Sequence, residues 1–174
     1  LAGVKQLLII WHSTTGGSAQ MARAAFEGAL AAVTDAASAQ AAVQVRLQHA
    51  VETTAEHVLA ADGYLFCAPE HLASLAGPMK DFFDRCYYPV LDHVNGRPYA
   101  LLVCAGSDGT GAVRQVERIC VGWRLKQAAP ALIVNTRAQS PQAILAPKVI
   151  AAAELARCSE VGAALAAGLS AGIL

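Results

Sequence analysis

Apolar residues fall in short runs, at Val4–Trp11, Gly63–Pro69, Tyr99–Ala105 and Ala131–Asn135. Nearly unbroken apolar runs suit strands covered on both faces. A fifth run, Val43–His49, alternates apolar and polar residues, which suits an edge strand with one wet face. Between the runs lie Ala-rich stretches of helical character, at about Ser18–Ala39, Ala55–Ala61, Gly77–Tyr88, Gly111–Gln127 and Ala151–Leu169. In the last of these, Leu155, Cys158, Val161, Gly162, Leu165 and Leu169 recur at spacings of three and four, marking one buried face. Strand and helix in alternation predict an α/β fold, with a five-stranded parallel sheet and helices on both faces. The most economical strand order is 2-1-3-4-5, with a ligand crevice at the switch between strands 1 and 3. A chain of 174 residues fits one domain of this kind, spanning 1–174.

That order brings the loops after strands 1, 3 and 4 to one edge of the sheet, and all three are unusual. The first is Ser13-Thr14-Thr15-Gly16-Gly17-Ser18, four hydroxyls and two glycines at the start of a helix. Helix N-termini carry unpartnered N–H groups and a partial positive charge, and glycines let an anion approach the backbone. No Lys or Arg lies between Lys5 and Arg23, so this loop would hold an anion, expected to be a phosphomonoester, through dipoles and hydroxyls. The second loop contains Pro69, Glu70, His71, Leu72 and Ser74, and the third runs from Ala105 through Gly106, Ser107, Asp108 and Gly109.

Composition narrows the classes. Hydrophobic residues make up 55% and charged ones 15%, which excludes a disordered chain. Zero formal net charge without a basic run argues against a nucleic-acid partner, and high apolar content makes self-association plausible. Five scattered cysteines without a C-x-x-C pair or zinc-like spacing read as reduced thiols of a cytoplasmic protein. The first residues do not read as a signal peptide, and Val161–Leu174 is too short to cross a bilayer, so no membrane association is expected. A P-loop NTPase is excluded because no G-x-x-x-x-G-K-[ST] occurs, and a receiver domain because strand 1 lacks a terminal acidic pair.

The first loop, followed by Met21-Ala22, resembles the FMN phosphate signature of flavodoxins, S/T-x-T-G-x-T after strand 1, with Ser18 for the usual Thr. The segment Pro69-Glu70-x-x-x-Ser74-x-x-Gly77-x-x-Lys80-x-x-x-Asp84 resembles NADPH-dependent FMN reductases and is similar to part of the WrbA-type quinone reductases. The reductases' tight G-S-x-R start is absent. The resemblance implies a flavodoxin-like three-layer sandwich, bound FMN, NAD(P)H as co-substrate, and a homodimer or homotetramer. It places the FMN phosphate on Ser13, Thr14, Thr15, Gly16, Gly17 and Ser18. The flavin ring and ribityl chain fall to Pro69, Glu70, His71, Leu72 and Ser74 and to Ala105, Gly106, Ser107, Asp108 and Gly109.

Several side chains have two readings. His71 could pass a proton to an acceptor or be an exposed loop residue. Ser74 could begin a helix, and Ser18 could be an ordinary N-cap. Lys80 and Asp84 suit a structural pair one turn apart. Arg114 and Arg118 suit a solvated face or the 2′-phosphate of NADPH. Neither later loop contains Trp, Tyr or Phe to cover the flavin, so a nicotinamide could stack on it. A lid from a second subunit would draw on Tyr87, Tyr88 or Trp123. The expected function is an FMN-dependent oxidoreductase passing hydride from NAD(P)H to a small-molecule acceptor such as a quinone or free flavin. The alternatives are a flavodoxin-type carrier and a domain that has lost its flavin.

Overall fold

The computed structural model describes residues 3–35 and 41–174. Its centre is a parallel sheet in which β1 (Lys5–Trp11) lies between β2 (Val43–His49) and β3 (Gly63–His71), and β3 pairs with β5 (Pro98–Ala105). Against the far side of β5 lie the short β6 (Lys126–Gln127) and β7 (Leu132–Asn135). Counted along the chain, this is the expected 2-1-3-4-5 order. It departs from expectation in two places. The fifth strand is in two pieces, broken around Pro130, which has no N–H to give to the ladder. A two-residue strand, β4 (Ser74–Leu75), folds back antiparallel on β3, so Ser74 belongs to a hairpin and not to a helix start.

Side-chain alternation along β1 sorts its residues between two cores. Leu7 and Ile9 pack beneath α1 (Gly17–Thr34) and α6 (Ala152–Ser170). Leu8 and Ile10 face the layer of α2 (Ala55–Ala60), α3 (Gly77–Val90) and α4 (Thr110–Gly122). β2 alternates half-buried and exposed residues over Val43–Leu47, as an edge strand should. α4 ends at Gly122, and Arg124 takes a left-handed turn (φ 59°), so the expected helical stretch to Gln127 is β6 instead. α1 ends at Thr34; positions 36–39 of its expected extent lie outside the described residues. The long loop before α6 holds one short helix, α5 (Pro141–Leu145).

Trp123 is 2% exposed and packs against Phe82 and Phe83, so it is core and no lid candidate; Tyr88, by contrast, is 81% exposed. All five cysteines are buried free thiols, and burial pushes Cys86 and Cys158 up to about 11. Among the described residues no helix is long and apolar enough to cross a membrane.

The two helices α1 and α6 approach closely because glycines face each other's backbones. A Cβ on Gly162 would collide with the Ala25 carbonyl, and one on Gly28 with Ser159. Alanine at a helix-interior glycine ordinarily stabilises by about 1 kcal/mol. Here the overpacking, about 1–3 kcal/mol, outweighs it. Gly162→Ala is expected to lower the urea midpoint at an unchanged m-value.

Candidate functional site

The parallel sheet sends the ends of β1, β3 and β5 to one edge, and each of the three unusual loops starts there. In the first, Gly16 takes φ 91° at the N-cap of α1, and its N–H donates to Ser13 Oγ at 3.0 Å. Ser18 is therefore not the cap. It sits inside the first turn, 1% exposed, with its Oγ lacking any partner. A buried hydroxyl without a hydrogen bond costs about 1–3 kcal/mol, and native structures seldom carry one without a reason. Next to it the N–H groups of the first helical turn have no intrahelical acceptor and no side-chain cap. Donors gathered without acceptors suit an anion, so the residues present fit a phosphate.

The start of α4 at this edge is already filled. Glu70, leaving β3, turns its carboxylate onto α4: Gly109 N–H donates to Oε1 at 2.9 Å and Ala112 N–H to Oε2 at 3.0 Å. Asp108 accepts from the Thr110 hydroxyl at 2.8 Å on the same turn. Two carboxylates at one helix N-terminus leave no place there for a phosphate. Of α1 and α4, only α1 keeps the N–H groups of its first turn without a side-chain acceptor.

The second loop is a two-residue hairpin. His71 pairs with Ser74, and the residues between, Leu72 (φ 53°) and Ala73 (φ 61°), are both left-handed. This is the turn pattern usually built from Asn-Gly, and each L-residue in it costs on the order of 1–2 kcal/mol. Leu72 and His71 are exposed at the tip, Pro69 half-buried at its base. In the third loop Ala105 is buried, and its carbonyl accepts from Thr136 N–H. Gly106 O accepts from Gln139 Nε2 at 2.7 Å, and Ser107 O accepts from Asn135 Nδ2.

Several residues that tie these loops together stand outside every sequence motif. Lys148 N–H donates to Thr15 O at 2.8 Å, and Gln20 brackets the same segment by donating to Lys148 O and accepting from Ile150 N–H. Lys148 thus meets the first loop through its backbone, although 130 positions separate it from Ser18 in sequence. Its ammonium is turned to the carbonyls of Ile144 and Ala146. Gln115, on α4, accepts from both the Ser74 hydroxyl and Leu75 N–H. No sequence signal marks Lys148 or Gln20; Gln115 is a polar residue flanked by the buried Ala112 and Val116.

His12 lies at the end of β1, its Nε2 3.4 Å from Thr14 Oγ1 and its Nδ1 buried without a partner. Burial, reinforced by His49 and His71, holds its pKa below the ordinary 6.5. Lys80 and Asp84 form the expected surface pair, worth little in water.

A family model described as NADPH-dependent FMN reductase matches residues 12–138. A flavodoxin of Aquifex aeolicus (strain VF5) is 30% identical over 106 residues, 61% of this chain. The match spans about half (51%) of that relative's length. Among solved structures, a flavodoxin from the domain Archaea superposes with a TM-score of 0.68 at 15% identity, covering 92% of this chain and 96% of its own. A flavodoxin, WrbA-like protein from Agrobacterium tumefaciens gives 0.65 at 13% identity, with 93% and 95% covered. Likeness at this level shows a common flavodoxin-like fold.

Two outcomes follow from the site. Ser18→Ala removes a hydroxyl that has no partner, so urea unfolding of the ligand-free protein should show no loss of stability. Its affinity for FMN, read by fluorescence quenching, should fall by about five- to tenfold. For His12 the unfolded chain binds its proton at higher pH than the native one, so stability falls as pH drops below 6.5. His12→Gln should flatten that acid limb in unfolding curves taken between about pH 7.5 and 5.

Proposed function

Since the chain belongs to the NADPH-dependent FMN reductase family, we propose that it is an FMN-dependent oxidoreductase that takes hydride from NAD(P)H and reduces a quinone, free flavin or similar small acceptor. The observation that carries this reading is the division of labour between the two helix starts. α1 offers unpartnered N–H groups and the orphaned Ser18 hydroxyl, while α4 is closed by Glu70 and Asp108. A ligand anchored by a phosphate on Ser13–Ser18 therefore extends its uncharged part toward the other two loops, as FMN requires.

In this reading Ser13, Thr14, Thr15, Gly16, Gly17 and Ser18 hold the phosphate through amides and hydroxyls. Ala105, Gly106, Ser107, Asp108 and Gly109 border the ribityl chain and one edge of the ring. Pro69, Glu70, His71, Leu72 and Ser74 form the hairpin at the other edge, where Glu70 acts through its hold on α4. Bound FMN supplies two-electron chemistry that no side chain offers. In this reading the exposed His71 passes a proton to the acceptor that receives the electrons. Neither hairpin nor third loop bears a Trp, Tyr or Phe, which leaves room for a nicotinamide to stack. Localisation in the cytoplasm and a homodimer or homotetramer belong to the same proposal. The oligomer would cover the apolar groove of Phe83, Tyr87, Ile119 and Trp123 between α3 and α4.

The flavodoxin relative supports a second reading, an electron carrier without turnover of its own. Anaerobic addition of NADPH to the FMN-loaded protein separates the two. The reductase reading expects the yellow colour to bleach in one two-electron step, and steady turnover once a quinone is supplied. A protein that binds FMN but is not reduced by NADPH or NADH would favour the carrier.

A further inference from the structure

The β3–β4 hairpin carries a conformation that its own sequence does not favour. Leu72 and Ala73 are both left-handed, and Leu72 is fully exposed (101%), so burial of its side chain gives nothing back. Beyond the hairpin's own pairing with β3, what holds the turn comes from α4. The Ser74 hydroxyl (2.8 Å) and Leu75 N–H (2.7 Å) both donate to the side-chain oxygen of Gln115. Two donors on one atom identify it as the oxygen and fix the amide's orientation. At the start of the hairpin Glu70 accepts from Gly109 and Ala112. Between these two ties the Ala73 carbonyl lies so close to Gly111 that a Cβ there would collide with it. The hairpin is therefore seated on the first two turns of α4 at three points, and the helix decides which way its peptides face.

We propose that Gln115, which lies outside all three ligand loops, is a positioning residue for the flavin. It holds the His71–Ser74 turn in its left-handed form and so fixes the backbone presented to the isoalloxazine edge. This rests on the FMN reading above. Glu70 and Gln115 share the work unequally. Glu70 also caps α4, so losing it disturbs the third loop. Among the described residues the Gln115 side chain hydrogen-bonds only to the hairpin, which makes it the clean probe.

The test uses Gln115→Leu, which keeps bulk and removes the acceptor, beside Gln115→Glu, which keeps an oxygen for both donors. Amide hydrogen exchange in the ligand-free proteins reads the latch directly. Exchange at Leu75 should quicken about tenfold in Gln115→Leu and stay within about threefold of wild type in Gln115→Glu. FMN affinity should follow the same order, about tenfold weaker in Gln115→Leu and largely restored in Gln115→Glu. The midpoint potential of bound FMN should also shift in Gln115→Leu. Should Gln115→Leu fail to fold, Ser74→Ala removes one of the two bonds and should give intermediate values of exchange and affinity. Unchanged exchange overturns the latch. Fast exchange with wild-type affinity and potential overturns its role toward the flavin. A wild-type protein that takes up no FMN overturns the functional reading itself, a failure visible without any variant.

Discussion

The edge of this sheet depends on one carboxylate. Glu70 leaves the end of β3 and accepts from two N–H groups at the start of α4, 39 and 42 positions away in the chain. A charged acceptor at a helix N-terminus makes stronger hydrogen bonds than a neutral one and complements the helix dipole. Breaking it would release the base of the hairpin and the third loop together. It also removes α4 from competition as an anion site. The difference between the two helix starts thus follows from one side chain of β3.

Around that contact the loops close into a ring. His12 N–H donates to Cys67 O and joins the first loop to β3; Glu70 and Gln115 join the hairpin to α4. Asn135 at the end of β7 and Gln139 beyond it hold the third loop, and Lys148 further along returns the chain to Thr15. Loops at the edge of a parallel sheet have backbone groups that no ladder satisfies, and here they satisfy one another. The first turn of α1 stands apart, with the Ser18 hydroxyl unpaired. That contrast gives the phosphate reading its weight.

The sequence was legible where the physics is local or periodic. Runs such as Val4–Trp11 and the alternation in Val43–His49 report burial directly, and they yield the sheet and its order. It was less legible at boundaries. The hairpin at Leu72–Ala73 lacks the Asn-Gly signal such turns normally show, because contacts with α4 offset the strain that turn residues would otherwise avoid. Trp123, expected within a helix running to Gln127 and as a lid candidate, is buried against Phe82 and Phe83.

By itself, then, the chain's pattern determined the α/β class, the strand order, the hydroxyl-rich loop at the start of α1 and the resemblance that named a cofactor. Each is encoded within one turn, one strand or one loop. Tertiary structure alone decided that Glu70 faces a helix, that Ser18 lacks a partner, that Lys148 reaches the first loop and that Gln115 governs the hairpin. Those are contacts between residues distant in sequence, and their free energies depend on burial and direction, which no local pattern of residue types records.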